Sequence, residues 1–132
     1  MCSVKLPYQF RGKVLHGKQM GRHIGFPTLN LIPDHKADIP FGVYASEVEA
    51  GGVRYHGMTN VGAHPTLPKG GITVETHLID QHIDLYGEEI TVTLLKFLRE
   101  EKRFDSVEEL AKALSDDKKH VIEWFERMPA DL

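Results

Sequence analysis

The chain has 132 residues, 41% of them hydrophobic and 27% charged, with a formal net charge of −3, which fits one compact domain with a single core. This length needs no disulfide or metal staple, the single Cys2 can form no internal disulfide, and no apolar run approaches the ~20 residues of a membrane span. The mildly acidic balance argues against a nucleic-acid binder, which needs a cationic face, and favours a small-molecule ligand. No segment before the first strand-like stretch resembles a signal peptide, so a reducing, cytoplasmic setting is expected.

Residues 8–16 (YQFRGKVLH) predict a first strand. Residues 17–41 fit no regular element, and loops longer than ~12–15 residues in compact domains are usually functional or disordered. Residues 42–50 and 53–61 flank Gly51-Gly52, a pair suited to the positive φ of a tight turn, and predict a β-hairpin. Residues 72–80 (ITVETHLID) and 89–99 (EITVTLLKFLR) are rich in β-branched residues, with Tyr86-Gly87 as a turn signal between them; they predict a second hairpin. Ser106-Val107-Glu108-Glu109 matches a capping box, and Val107, Leu110, Ala111 and Leu114 repeat at helical spacing. Val121, Trp124, Phe125 and Met128 renew that spacing up to Pro129, either as a second helix or as a continuation past Asp116-Asp117. The adjacent aromatics read as core. Antiparallel strands followed by a terminal helix predict a small, mainly β, closed barrel whose helix covers one opening or one side.

Within residues 17–41 lies GRHIGFPTLNL (21–31). Residues Gly12 to Gln19 come within one position of a Walker phosphate loop. Gln19 replaces the required Ser/Thr, and Gly21, Gly25 and Pro27 oppose the helix that must follow, so that motif is rejected. The same chemistry can be built otherwise. Gly17, Gly21 and Gly25 permit a concave nest of N–H groups, Lys18 and Arg22 supply positive charge, and in an extended segment Thr28 and Asn30 point the same way as two oxygen ligands for Mg²⁺. The alternative is a surface loop shaped by its Gly, Pro and Asn residues. In ITVETHLID, alternation puts Ile72, Val74 and Leu78 on one face and Thr73, Glu75 and His77 on the other, so Glu75 is a carboxylate held mid-strand. It is either a solvated polar residue or a base that accepts the proton of an attacking alcohol beside a bound nucleotide. His77 and His82 lack Cys or carboxylate partners at zinc-ligand spacing, and the histidines read as surface or supporting residues.

GRHIGFPTLNL, GVYA, NVGAHPT, VETHLID, DLYG and FLREEKRFDS, in this order and approximate spacing, resemble the riboflavin kinase (flavokinase) family, including the kinase module of bifunctional bacterial FAD synthetases. The likeness runs from Gly12 to about Asp117. It implies a six-stranded antiparallel Greek-key β-barrel with a C-terminal helix, forming a single riboflavin kinase domain over residues 1–132. The implied reaction is transfer of the γ-phosphate of ATP to the terminal ribityl hydroxyl of riboflavin, giving FMN and ADP. By the same likeness, Glu75 is the catalytic base, and Thr28 and Asn30 bind the ATP phosphates and Mg²⁺; whether Zn²⁺ or Mn²⁺ can replace Mg²⁺ is left open by the sequence. Gly17, Arg22 and Gly25 would contact the nucleotide from a flap, and Arg99 belongs to the part that closes over the flavin. Flavin and ATP are thus the implied partners, with no nucleic acid, no membrane, and the chain acting as a monomer. Leu29 stands where alanine is usual, and His64 where arginine is common. No Rossmann-like βαβ stretch is present, so FMN rather than FAD is the expected product. The alternative is a flavin- or nucleotide-binding regulatory module without turnover; the intact Thr28, Asn30 and Glu75 argue against it.

Overall fold

The computed structural model describes residues 5–15, 25–35, 38–63 and 71–128. Gly17, Lys18, Gly21, Arg22, His64 and Pro129 lie outside the described residues. Among those described, six strands are followed by one helix: β1 (Tyr8–Leu15), β2 (Leu29–Leu31), β3 (Gly42–Ala50), β4 (Val53–Ala63), β5 (Ile72–Leu78), β6 (Glu89–Glu100) and α1 (Val107–Glu126). The strands close into an antiparallel barrel in the order β1-β2-β5-β4-β3-β6. Strands β3, β4 and β5 are successive neighbours and β6 returns beside β3, which is a Greek key.

The first predicted hairpin is present. Gly51 (φ 57°) and Gly52 (φ 81°) both occupy the left-handed region that a two-residue turn of the primed kind demands, and Ala50 pairs with Val53 across it. The second predicted hairpin is not: β5 pairs with β2 and β4, whereas β6 pairs with β1 and β3. Tyr86-Gly87 does turn the chain, with Gly87 at φ 82°. Its hydrogen bonds, however, run to the first strand: Gly87 N–H donates to the Val14 carbonyl, and Val14 N–H to that of Glu88, both at 2.9 Å. Residues 79–88 therefore connect two strands that are not neighbours, with Leu85 buried in the barrel core on the way. The connection over residues 17–41 is likewise not wholly irregular, because Leu29–Leu31 forms β2, which pairs with β1 on one side and β5 on the other and closes the barrel.

Alternation sets the two faces of the barrel wall. Phe10, Tyr44, Val48, Val61, Val74, Val92 and Leu94 point inward and are fully buried. Three hydroxyls inside the barrel satisfy one another: Ser46 Oγ lies 2.6 Å from Thr59 Oγ1, which lies 2.7 Å from Thr76 Oγ1. Almost every residue of β3 is buried, on both faces, because α1 packs over the outside. Val121 of α1 joins Val43, Ala45 and Met58 in a second apolar cluster, flanked by Leu114, Trp124 and Phe125. The helix thus covers one side of the barrel and runs unbroken through Asp116-Asp117. It begins as the capping pattern predicts: Glu109 N–H donates to Ser106 Oγ at 3.1 Å. The Glu109 carboxylate reaches back one residue further than in the standard box, to Asp105 N–H at 3.1 Å.

Candidate active site

The outer face of the barrel carries a row of residues that the strand register brings side by side. Asn30 on β2 lies opposite Glu75 on β5, Glu75 opposite Asn60 on β4, Asn60 opposite Val43 on β3, and Val43 opposite Arg99 on β6. Opposed residues of paired strands share a face, so this row follows from the period of two once the register is fixed. Glu75 sits in its middle, on a strand paired along both edges.

A cleft of about 490 Å³ opens over this row. Its floor includes Thr28, Glu75, His77 and Asn60, its apolar wall Val43, Met58, Leu110 and Leu114, and its rim the 101–104 segment that leads from β6 into α1. The volume falls in the range of small-molecule sites, and an apolar wall with a few convergent polar groups is their usual composition.

At the helix side of the cleft, Arg99 is clamped. Its Nε donates to both Asp117 carboxylate oxygens, at 2.9 and 3.1 Å, and its Nη2 to one of them at 2.7 Å. Nη1 reaches the Glu100 carbonyl at 3.0 Å, and the guanidinium lies 5.7 Å from the Phe104 ring centroid. The sheet and the helix are thereby tied together at the point where the rim begins. On the opposite side, His77 Nδ1 lies 2.9 Å from the Pro27 carbonyl, with the Phe26 ring edge-on at 5.3 Å between centroids. This bond fixes the segment just before Thr28 against β5. Burial pushes the His77 imidazole pKa below its ordinary 6.5, and the Lys118 charge acts in the same direction. The Pro27 hydrogen bond and the Asp80 carboxylate oppose them.

Of the residues predicted from sequence, Thr28, Glu75 and Arg99 line this cleft, and Asn30 adjoins Glu75 across the strand pair. Gly25 is exposed, with φ 87° and open space around its α-carbon; Gly17 and Arg22 lie outside the described residues. Thr28 and Asn30 offer hydroxyl and carbonyl oxygens, the donor chemistry of a hard divalent cation. Among the described residues no group of three or more His, Cys, Asp or Glu could hold a metal. Three residues of the cleft region escaped the sequence reading. Asn60 follows the same alternation that exposed Glu75; His77, taken as a surface or supporting residue, is 6% exposed and forms part of the floor. Asp117 occupies a helical position three after Leu114 and four before Val121, so a carboxylate on the apolar stripe was the available signal.

Known proteins resemble this chain in sequence and in fold. Residues 4–125 match the family model Flavokinase, described as riboflavin kinase. The bifunctional riboflavin kinase/FMN adenylyltransferase of Escherichia coli (strain K12) is 39% identical over 120 residues, and that of Bacillus subtilis (strain 168) 35% over 127. These alignments cover 90% and 92% of this chain but 38% and 40% of the relatives, so the chain spans well under half their length. Among solved structures, one named macrolide-efflux protein from Streptococcus pneumoniae has a TM-score of 0.79 at 35% identity, over 89% of this chain and 39% of that one. Riboflavin kinase from Trypanosoma brucei has a TM-score of 0.64 at 22% identity, over 95% and 83% of the two chains, a likeness of fold alone. No helix among the described residues is long and apolar enough to cross a membrane. With a family match over residues 4–125 and relatives at 35–39% identity, this chain belongs to the riboflavin kinase (flavokinase) family.

Proposed function

We propose that this chain is a riboflavin kinase module, transferring the γ-phosphate of ATP to the terminal ribityl hydroxyl of riboflavin to give FMN and ADP. The observation that carries the reading is Glu75: a carboxylate on a doubly paired strand, between Asn30 and Asn60, at the floor of a cleft of small-molecule size. Phosphoryl transfer needs alignment and charge neutralisation more than covalent chemistry, and a rigid sheet supplies alignment. Glu75 accepts the proton of the attacking hydroxyl as its oxygen bonds to the γ-phosphorus and the bond to the bridging oxygen of ADP breaks. An ordinary carboxylate is already ionised at neutral pH, so the role asks for no unusual pKa.

Thr28 and Asn30 would hold the divalent cation, and their oxygen donors suit Mg²⁺. When bound, that ion offsets the charge that gathers on the terminal phosphates. Gly25, Gly17 and Arg22 belong to the nucleotide side, and Arg99 with Phe104 and the 101–104 rim to the flavin side, where the apolar wall suits a flat aromatic ring system. Action as a monomer in the cytoplasm is part of the same proposal.

The test is chromatographic. Purified protein with riboflavin, ATP and Mg²⁺ forms FMN; Glu75→Gln lowers turnover by roughly 10²–10⁴-fold, the usual contribution of a positioned base, and Thr28→Ala also lowers it. FMN formation at full rate by Glu75→Gln removes the residue from this role. Flavin binding without any FMN turns the reading to a regulatory module without turnover.

A further inference from the structure

Two buried side-chain atoms of the described residues have no hydrogen-bond partner: Asn60 Oδ1 and His77 Nε2. Buried polar atoms are nearly always paired in folded proteins, so two orphans in one place ask for an explanation. Both residues line the cleft that contains Glu75.

The surroundings of His77 fix which of its ring nitrogens is open. The Pro27 carbonyl can only accept, so the His77 Nδ1 beside it, at 2.9 Å, carries the ring proton. Nε2 of the neutral ring is therefore a bare lone pair, on a side chain only 6% exposed. Asn60 Oδ1 is an acceptor too. Asn60 is directly opposite Glu75 across the β4–β5 pair, and His77 lies two residues beyond Glu75 on the same face of β5. Directly opposed side chains start roughly 5 Å apart at Cβ, so Glu75 has one acceptor beside it and one along the strand. The two orphaned acceptors gain no hydrogen bond from phosphate oxygens, which are acceptors themselves. It suits a ligand portion that presents several donors close together, and a chain of hydroxyl groups does so.

We infer that Asn60 and His77 read the hydroxyl-bearing side chain of the flavin, each accepting a hydrogen bond from a ribityl hydroxyl while Glu75 faces the terminal one. This rests on the riboflavin kinase reading above and extends it: the two residues determine specificity and binding, not proton transfer. They discriminate by leaving a buried acceptor unpaired whenever a flavin without those hydroxyls enters.

The experiment compares two probes, riboflavin and lumiflavin, whose ring system carries no polyol, by fluorescence titration against the full chain and its Asn60→Leu and His77→Phe variants. The parent is expected to prefer riboflavin. Each variant should lose roughly three- to tenfold in riboflavin affinity, the worth of one neutral hydrogen bond, with lumiflavin affinity unchanged within about twofold. Asn60→Leu should also melt no lower than the parent, since it deletes an orphan oxygen and lies against Val43. Equal losses for both flavins would show that these side chains only shape the cleft. An unchanged riboflavin preference would show that the orphans are met by water; either result overturns the inference while FMN formation by the parent leaves the kinase reading intact. A parent that binds no riboflavin overturns both. The two variants lie on different strands, and lumiflavin binding reports a folded cleft in each, so either alone decides.

Discussion

Arg99 and Asp117 join the barrel to the helix, and their pairing yields a quantitative prediction. The Asp117 side chain is 6% exposed and that of Arg99 25%, so neither charge is fully hydrated, and three N–H···O contacts of 2.7–3.1 Å link them. Breaking a fully buried pair costs about 3–5 kcal/mol, because the surviving charge is stranded. The two single replacements are not equivalent. Arg99→Leu strands a carboxylate with almost no access to water and should cost about 3 kcal/mol, toward the low end of that range. Asp117→Leu strands a guanidinium that is already a quarter exposed and rests over Phe104, so screening reduces its cost to about 2 kcal/mol. Replacing both by leucine removes the two desolvated charges together and should cost less than the two single replacements summed, giving a coupling of up to about 3 kcal/mol in a double-mutant cycle. Trp124, the sole tryptophan, lies on the same helix and packs on the same apolar cluster. Its fluorescence during urea unfolding is the assay, and Arg99→Leu should also lower the melting temperature by about 9–15 °C for a domain of this size. Coupling below about 0.5 kcal/mol, with each single variant nearly neutral, would mean that the pair is hydrated like an ordinary surface ion pair and does not hold the helix.

Two further outcomes follow from groups inside and beside the barrel. Thr59→Val keeps the shape of the side chain but removes the middle of the Ser46–Thr59–Thr76 hydroxyl chain; it should cost about 2–3 kcal/mol, seen as a lower urea midpoint at unchanged slope, and a loss under about 0.5 kcal/mol would refute the chain's role. His77, whose pKa burial holds below 6.5, binds fewer protons in the native state than in the unfolded chain between its lowered folded value and 6.5. Its contribution to stability is therefore complete above pH 6.5 and is lost as pH falls through the folded value, at no more than about 1.4 kcal/mol per pH unit. Lys118 and Asp80 act on this titration from opposite sides. Unfolding free energies measured from pH 8 to pH 5 should fall more steeply for the parent than for His77→Phe, and parallel curves would refute the assignment.

The parts of the fold that were legible in the sequence are those fixed by near neighbours. Gly51-Gly52 sets its own hairpin because both positive φ angles are local requirements. Ser106 caps α1 through a contact three residues away. Glu75 was legible because strand alternation needs only its own segment. Strand β2 was not, since three residues, Leu29–Leu31, carry no period to detect; they are a strand because β1 and β5 flank them. The same limit explains the β5–β6 error. Tyr86-Gly87 signals a turn correctly, yet nothing within residues 72–99 says that β6 will pair with β1 and β3. Within the site, Thr28, Asn30 and Glu75 came from motif and alternation. Asn60 joined them only when the β4–β5 register was known, and Asp117 stayed hidden because Asp116-Asp117 reads as a break, although its helical spacing marks the buried stripe.

The two sides of the barrel wall treat polar groups in opposite ways, and that contrast argues for a ligand independently of any relative. Inside, Ser46, Thr59 and Thr76 are almost fully buried, and each hydroxyl finds another within 2.7 Å. A network completed in this way adds to stability and asks for nothing from solvent. Outside, on the same strands, Asn60 and His77 bury atoms that no other described residue meets. Their neighbours are not loosely packed: His77 is pinned by Pro27, Val43 and Met58 lie beneath α1, and the Arg99–Asp117 clamp holds the helix over the cleft. A wall able to satisfy three hydroxyls within its core has the means to satisfy two more atoms on its outer face. That it leaves them unpaired beside Glu75 is what a preorganised site would require: its binding groups are held apart from one another so that a ligand is the partner they meet.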